Sequence, residues 1–139
     1  MTWIKIVRLA KRCYGLNKII WIKSKKYKYA GQCRYKKGIV YLNYNVLRND
    51  ENLKIKVLFH ELGHLFCYKN GIWKSYHTIP KTIQQKRRLV ATGLKAERWI
   101  DDWAEKEVKK YIPDFVFYKS YSEKHIVKLY KKEYLGKFK

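Results

Sequence analysis

Cysteine is scarce in this chain and wrongly spaced for a scaffold. Cys13, Cys33 and Cys67 are odd in number, and no pair has CxxC spacing. That argues against a disulfide framework and against a four-cysteine zinc site. The expectation is three reduced, mostly buried thiols. Long apolar runs are missing as well. No stretch approaches the roughly 20 residues of a membrane-spanning helix. The opening apolar residues are interrupted by Lys5, Arg8, Lys11 and Arg12, so the N-terminus lacks the h-region of a secretory signal. An intracellular, cytoplasmic protein with no membrane span is expected. Acid is in short supply, with 11 Asp and Glu against 33 Lys and Arg, a net charge of +22. Such a surface attracts nucleic acid or another polyanion, such as an acidic protein or anionic lipid. An AT-rich genome alone also favours Lys, Ile, Tyr and Asn, so charge leaves nucleic-acid association open. No linker or internal repeat interrupts the 139 residues, and the expectation is one domain over 1–139.

What is present is ample material for a core: 47% of residues are apolar types and 17% aromatic, which excludes a disordered chain. Trp3, Ile6, Val7, Ala10 and Cys13 fall at helical spacing over 3–14, with Gly15 as a stop. Residues 16–22 are β-branched and aromatic, as in a strand. Residues 27–35 and 38–43 are expected to pair as a hairpin about Lys36-Lys37-Gly38, with Gly38 at positive φ and Gly31 marking a bulge. Asn49-Asp50 offers a cap for a helix over about 51–69, which Asn70-Gly71 ends. Residues 72–85 read as loop, 86–111 as a second long helix before Pro113, and 115–121 as extended. Ser122 is placed to cap a last helix to about Leu135. The order implies an α+β fold with a small, mainly antiparallel sheet.

Chemistry concentrates in His60-Glu61-Leu62-Gly63-His64, an HExxH motif on the first long helix. Residues four apart share a helix face, so both imidazoles can point at one metal ion. Glu61 stands about 100° round the helix and can reach a metal-bound water without ligating the metal. Zn2+ lowers the pKa of such a water towards about 7, and Glu61 is the general base that takes its proton. Apolar neighbours on both sides suit a buried helix, and Gly63 allows close backbone approach beside the metal.

A catalytic zinc takes three protein ligands and keeps one position open. Two sources of the third are visible. Glu97 and Asp101 are four apart on the second long helix, so one carboxylate can bind zinc while the other holds a ligand histidine by its free N–H. The alternative is His77, thirteen residues after His64.

HExxH followed about thirty residues later by a helical ExxxD resembles the gluzincin metallopeptidases. By this resemblance the fold is zincin-like, with an active-site helix and a second, ligand-bearing helix. Glu97 then binds zinc and Asp101 supports a ligand histidine. The short chain is similar to the minigluzincins and to the ImmA/IrrE-type metallopeptidases of mobile elements, which suggests a phage or plasmid source. Glu97, Asp101, Trp103 and Ala104 match the helix motif E-x-E-A-(N/D)-x-F-A of the latter group. Trp99, where a Glu is often found, and Ile100 depart from it. A second, weaker resemblance is to SprT-like proteases, through Gly38-Ile39-Val40-Tyr41-Leu42-Asn43 before the HExxH helix. In that family the third ligand is a histidine after the motif, which suits His77, and the targets are proteins bound to DNA.

Other residues carry weaker signals. Cys67 is read as core rather than ligand, His125 as a surface residue, and Arg98 and Asp102 as solvated neighbours. Tyr76, His77 and Tyr111 are candidates to stabilise an oxyanion. Trp99 and Trp103 are expected to pack the second long helix onto the sheet. The reading is a zinc metallopeptidase that hydrolyses peptide bonds of a protein or peptide substrate. Its rival is a basic nucleic-acid-associated protein with a non-catalytic zinc site.

Overall fold

A computed structural model describes residues 1–74, 76, 77 and 79–118. Its elements run α1 (Trp3–Cys13), β1 (Lys18–Ile22), β2 (Gly31–Arg34), β3 (Ile39–Asn43), α2 (Tyr44–Leu47), α3 (Glu51–Asn70) and α4 (Ile83–Tyr111). The class is α+β, as the element order implies. The expected helix from Ser122 and the end of the extended 115–121 segment lie outside the described residues.

The sheet is mixed rather than mainly antiparallel. Its order is β1-β3-β2; β2 pairs antiparallel with β3, and β1 pairs parallel with it. The hairpin between β2 and β3 forms as its turn residues require, with Gly38 at φ 64°. The orientation of β1 was not readable, because it depends on where residues 23–30 lead the chain. They carry it past the position β3 will fill to the far edge, and β3 returns through the middle. Asn43 fastens this crossing by donating through Nδ2 to the carbonyls of Tyr27 and Tyr29, at 3.2 and 3.0 Å. Central placement explains why Ile39, Val40, Leu42 and Asn43 are all buried.

α3 is the axis of the molecule. Asp50 caps its start by accepting from the Leu53 amide, and Gly71 ends it in the left-handed region at φ 65°. Between these caps Leu58, Phe59, Leu62 and Leu65 join Ile6 and Ala10 of α1, Val40 and Leu42 of β3, and Ala104 and Val108 of α4 in one core. Two lysines are buried on its first turns, each with its charge placed. Lys54 reaches Glu51 at 2.7 Å and lies over the rings of Trp3 and Trp21. Lys56 lies over Phe117, and burial pulls its pKa below the ordinary value.

α4 begins three residues earlier than expected. A capping box of Thr82 and Gln85 sets its start, each side chain bonding the other's backbone. Leu89, Val90, Gly93, Ala96, Ile100, Asp101, Ala104 and Val108 form its buried stripe, at helical spacing. Of the three thiols Cys67 is buried, Cys33 partly so, and Cys13 exposed at the end of α1, contrary to the expectation of mostly buried thiols.

Candidate metal centre

α3 sets His60 and His64 one turn apart with ring centroids 5.0 Å from each other. Glu61 is buried beside them at 7% exposure, and one ligand-type atom from each of the three residues falls within 4.8 Å of the others. Gly63, between the histidines, decides what faces them. A Cβ there would stand 2.7 Å from Ile100 Cγ2 and 3.2 Å from the Trp103 ring. The missing side chain therefore lets α4 close on α3 at the level of the motif. Trp99 and Trp103 lie against this same helix, their rings stacked on Phe66 at 6.4 and 5.1 Å. They pack α4 onto α3, not onto the sheet as expected, because the two helices meet face to face here.

This closure delivers the acids of α4. The Glu97 carboxylate lies 2.8 Å from His60 Nε2 and 3.4 Å from His64 Nε2. Asp101, one turn on, lies 2.7 Å from His60 Nδ1. The two imidazoles thus turn Nε2 towards one carboxylate, and His60 gives its other nitrogen to the second. Glu61 is also within 4.8 Å of both rings, but Glu97 makes the shorter contacts.

His77 is placed behind His64. Its Nε2 lies 2.9 Å from His64 Nδ1, and its Nδ1 lies 3.1 Å from the Trp73 carbonyl oxygen. A carbonyl only accepts, so His77 Nδ1 carries hydrogen and donates. Burial, with the nearby His64 charge, pulls the His77 pKa down to about 4, so its ring is neutral and Nε2 accepts. His64 Nδ1 must then be the donor, which leaves His64 Nε2 to face Glu97. The route through Trp73 was invisible in the sequence. That residue adopts the left-handed region at φ 52°, uncommon for a bulky side chain. Its carbonyl also accepts the Tyr76 and His77 amides. Tyr76 donates its hydroxyl to Glu97 Oε1 at 2.6 Å, and its ring stacks on His64.

Charge in this pocket runs against the rest of the chain. Three carboxylates and two imidazoles meet here, in a protein of net charge +22. Burial alone would depress the His60 pKa, but Glu97 and Asp101 outweigh it and hold it well above the ordinary value. Burial would raise Glu97, but His64 and His60 outweigh it and hold that carboxyl well below the usual range. Burial also raises Glu61, against the opposing pull of His64 and His60.

His60, Glu61 and His64 could hold a metal ion. Two imidazoles and a carboxylate are a zinc donor set. Tetrahedral ligands at about 2.0–2.1 Å from zinc stand about 3.3 Å apart; Glu97 stands at 3.4 Å from His64 Nε2, and at a hydrogen-bond distance of 2.8 Å from His60 Nε2. The Nδ1 partners, Asp101 and His77, fix both rings with Nε2 forward.

The sheet closes the site from its other side. A Cβ on Gly31 would stand 2.6 Å from Val57 Cγ1 and 3.3 Å from Glu61 Cγ. Gly31 thus opens β2 in unbroken register, as a close approach to α3 and not as a bulge. Cys33, two residues on, is pushed to a high pKa by burial and by Glu61, so it stands as a neutral thiol. Tyr111 is not at the centre. Fourteen residues beyond Glu97 on one helix place it about 21 Å along the axis, and its hydroxyl pairs with that of Tyr14. Cys67 is fully buried, its pKa pushed to about 12 by burial first and Glu97 second. Arg98 and Asp102 are exposed, and His125 lies outside the described residues. Comparison with known protein families, curated proteins and solved structures finds no match to this chain.

Proposed function

We propose that this protein is a zinc-dependent metallopeptidase of gluzincin type, with His60, His64 and Glu97 as zinc ligands and Glu61 as general base. One observation carries the reading: His60 Nε2 and His64 Nε2 converge on the Glu97 carboxylate while Glu61 is buried at their side. Zinc, when bound, supplies a Lewis acid that acidifies a water and polarises a peptide carbonyl. Glu61 receives the water's proton and passes it to the leaving amine. Its burial and raised pKa suit a base that works nearer neutrality than an ordinary carboxylate. Asp101 holds His60 through Nδ1, and His77 holds His64 in the same way. Tyr76 steadies Glu97 through its hydroxyl. The edge strand β2, beside Glu61, offers backbone groups to an extended protein or peptide substrate.

Within this reading Glu97 is favoured over His77 as the third ligand, because His77 meets His64 on Nδ1, the side away from Glu97. The test is the zinc content of the purified protein by elemental analysis. One zinc per chain in the wild type, lost in His60→Ala and in Glu97→Ala, supports the reading. Zinc that survives Glu97→Ala but not His77→Ala overturns the gluzincin assignment. A wild type that takes up no zinc overturns the metallopeptidase. Peptide hydrolysis that persists in Glu61→Gln removes Glu61 as the base.

A further inference from the structure

Asp and Glu are absent from residues 1–49, which carry thirteen Lys and Arg. All thirteen are exposed. This stretch builds α1, the whole sheet and α2, so the sheet itself carries cations and no acid. The acids are held by the rest of the chain, with Glu61 and Asp101 buried and Glu97 half-buried at the candidate metal centre.

The register shows how part of this charge is laid out. Val40, Leu42 and Cys33 face α3, so the alternate residues form the other face of the sheet. There Tyr41 stands between its neighbours Ile20 and Gln32, and Ile39 between Lys18 and Arg34. The Arg34 guanidinium lies 5.5 Å from the centre of the Tyr41 ring, and Gln32 accepts the Tyr27 hydroxyl at 2.7 Å. Cations stand at both ends of this face. Lys18, Arg34, Lys36 and Lys37 gather where β3 begins. Lys23, Lys25, Lys26, Lys28 and Arg48 gather where it ends, and the Asn45 side chain ties Lys23 to α2 there. β1 and β3 between them are five residues long, about 17 Å, and β2 four.

We propose that this outer sheet face binds single-stranded nucleic acid, with phosphates on the two cationic ends and bases on Tyr41, Arg34 and Tyr27 between them. A cationic track with an aromatic platform is what a flexible polyanion with stacking bases requires. The paired residues of this face are aromatic, polar or flanked by cations, with no fully exposed large apolar side chain of the kind that enters lipid; Met1, Ile4, Val46, Ile79 and Val116 are exposed on other segments, Val46 on α2 beside the second cationic end. The proposal does not depend on the metal reading.

The experiment is fluorescence anisotropy of a labelled fifteen-nucleotide oligo(dT) with the full chain across a salt series. Lys18→Glu with Arg34→Glu is compared with Lys106→Glu and Lys109→Glu on α4, an equal change of net charge on exposed residues. The sheet pair is expected to weaken binding by about tenfold or more, and to lower the slope of log K against log salt by about 1.4, near 0.7 per lost phosphate. The α4 pair is expected to change either quantity little. Tyr41→Leu should weaken binding at unchanged salt slope, with circular dichroism confirming the fold; the charge-reversed pair, on exposed residues, carries the test if Tyr41→Leu does not fold. Equal losses from both pairs would reduce the interaction to net charge and overturn the site. Tighter binding to a duplex of the same length would overturn the single-strand assignment. Loss of binding to phosphatidylserine vesicles, with oligo(dT) binding unchanged by the sheet pair, would assign the face to lipid instead.

Discussion

α3 and α4 both bring side chains to the candidate metal centre, but they are built on opposite plans. α3 is buried on nearly every side from Lys54 to Cys67, and its sequence is apolar around most of its circumference. α4 is longer and exposes most of its surface, burying only one stripe. The helix with the imidazoles and the proposed base is thus fixed by core packing on all sides. The helix with Glu97 and Asp101 is a surface helix whose inner stripe carries two carboxylates among small and apolar residues. The difference teaches where precision comes from. α3 holds its groups by being packed on nearly all sides, whereas α4 depends on how closely Gly63 lets it dock.

The largest test of that division sets the two glutamates of the site against each other. Glu61→Gln on α3 is expected to keep zinc and lower peptide hydrolysis by about 10²–10⁴-fold. Zinc lost from Glu61→Gln, measured by elemental analysis, would mean that α3 supplies a third ligand itself and that α4 is dispensable. A smaller effect is expected from Asp101→Asn. The amide cannot accept the His60 N–H as a carboxylate does, and zinc affinity should fall about 10–100-fold in competition with a chromophoric chelator. Unchanged affinity would reduce Asp101 to a packing residue. Gly63→Ala sharpens the docking argument directly. Its methyl meets Ile100 at 2.7 Å, so denaturant unfolding should show a loss of about 1–3 kcal/mol, with weaker zinc binding. Full stability in that variant would show that the two helices can part without cost.

A pH series on zinc-free protein probes the support behind α3. His77 has a folded pKa of about 4 against the ordinary 6.5. The unfolded chain therefore binds the proton first as pH falls, and stability is full above 6.5 and declines towards 4. The gap corresponds to roughly 3 kcal/mol. Glu61, raised by burial, contributes an opposite slope that is present in both proteins and cancels in a comparison with His77→Gln. The stability advantage of wild type over the variant should thus shrink as pH drops from 6.5 to 4. A difference that stays constant with pH would show that His77 is not held neutral in the fold.

Much of the scaffold was legible because its signals are local. Asp50 and Gly71 bound α3, Gly38 turns the hairpin, and the apolar spacing of α4 marks its stripe; each depends on neighbours a few residues away. α4 starts three residues before the expected 86 because Thr82 and Gln85 form a capping box. The parallel pairing of β1 was missed because hairpin chemistry says nothing about a strand joined by an eight-residue crossing. Gly31 looked like a bulge because a glycine in a strand announces a close approach without naming the partner. His77 looked like a possible ligand because its distance in sequence from His64 does not reveal which ring nitrogen it meets.

Sequence alone therefore determined which groups are available and which share a helix face: His60 with His64, and Glu97 with Asp101, through the 3.6-residue period. Tertiary structure alone decided that those two faces oppose each other. It set Glu97 before both Nε2 atoms, Asp101 behind His60 and His77 behind His64. The reason is physical. A helical period acts within one element, whereas the meeting of two elements depends on shape, here the absence of a side chain at Gly63 and the rings of Phe66, Trp99 and Trp103 that fill the space around it.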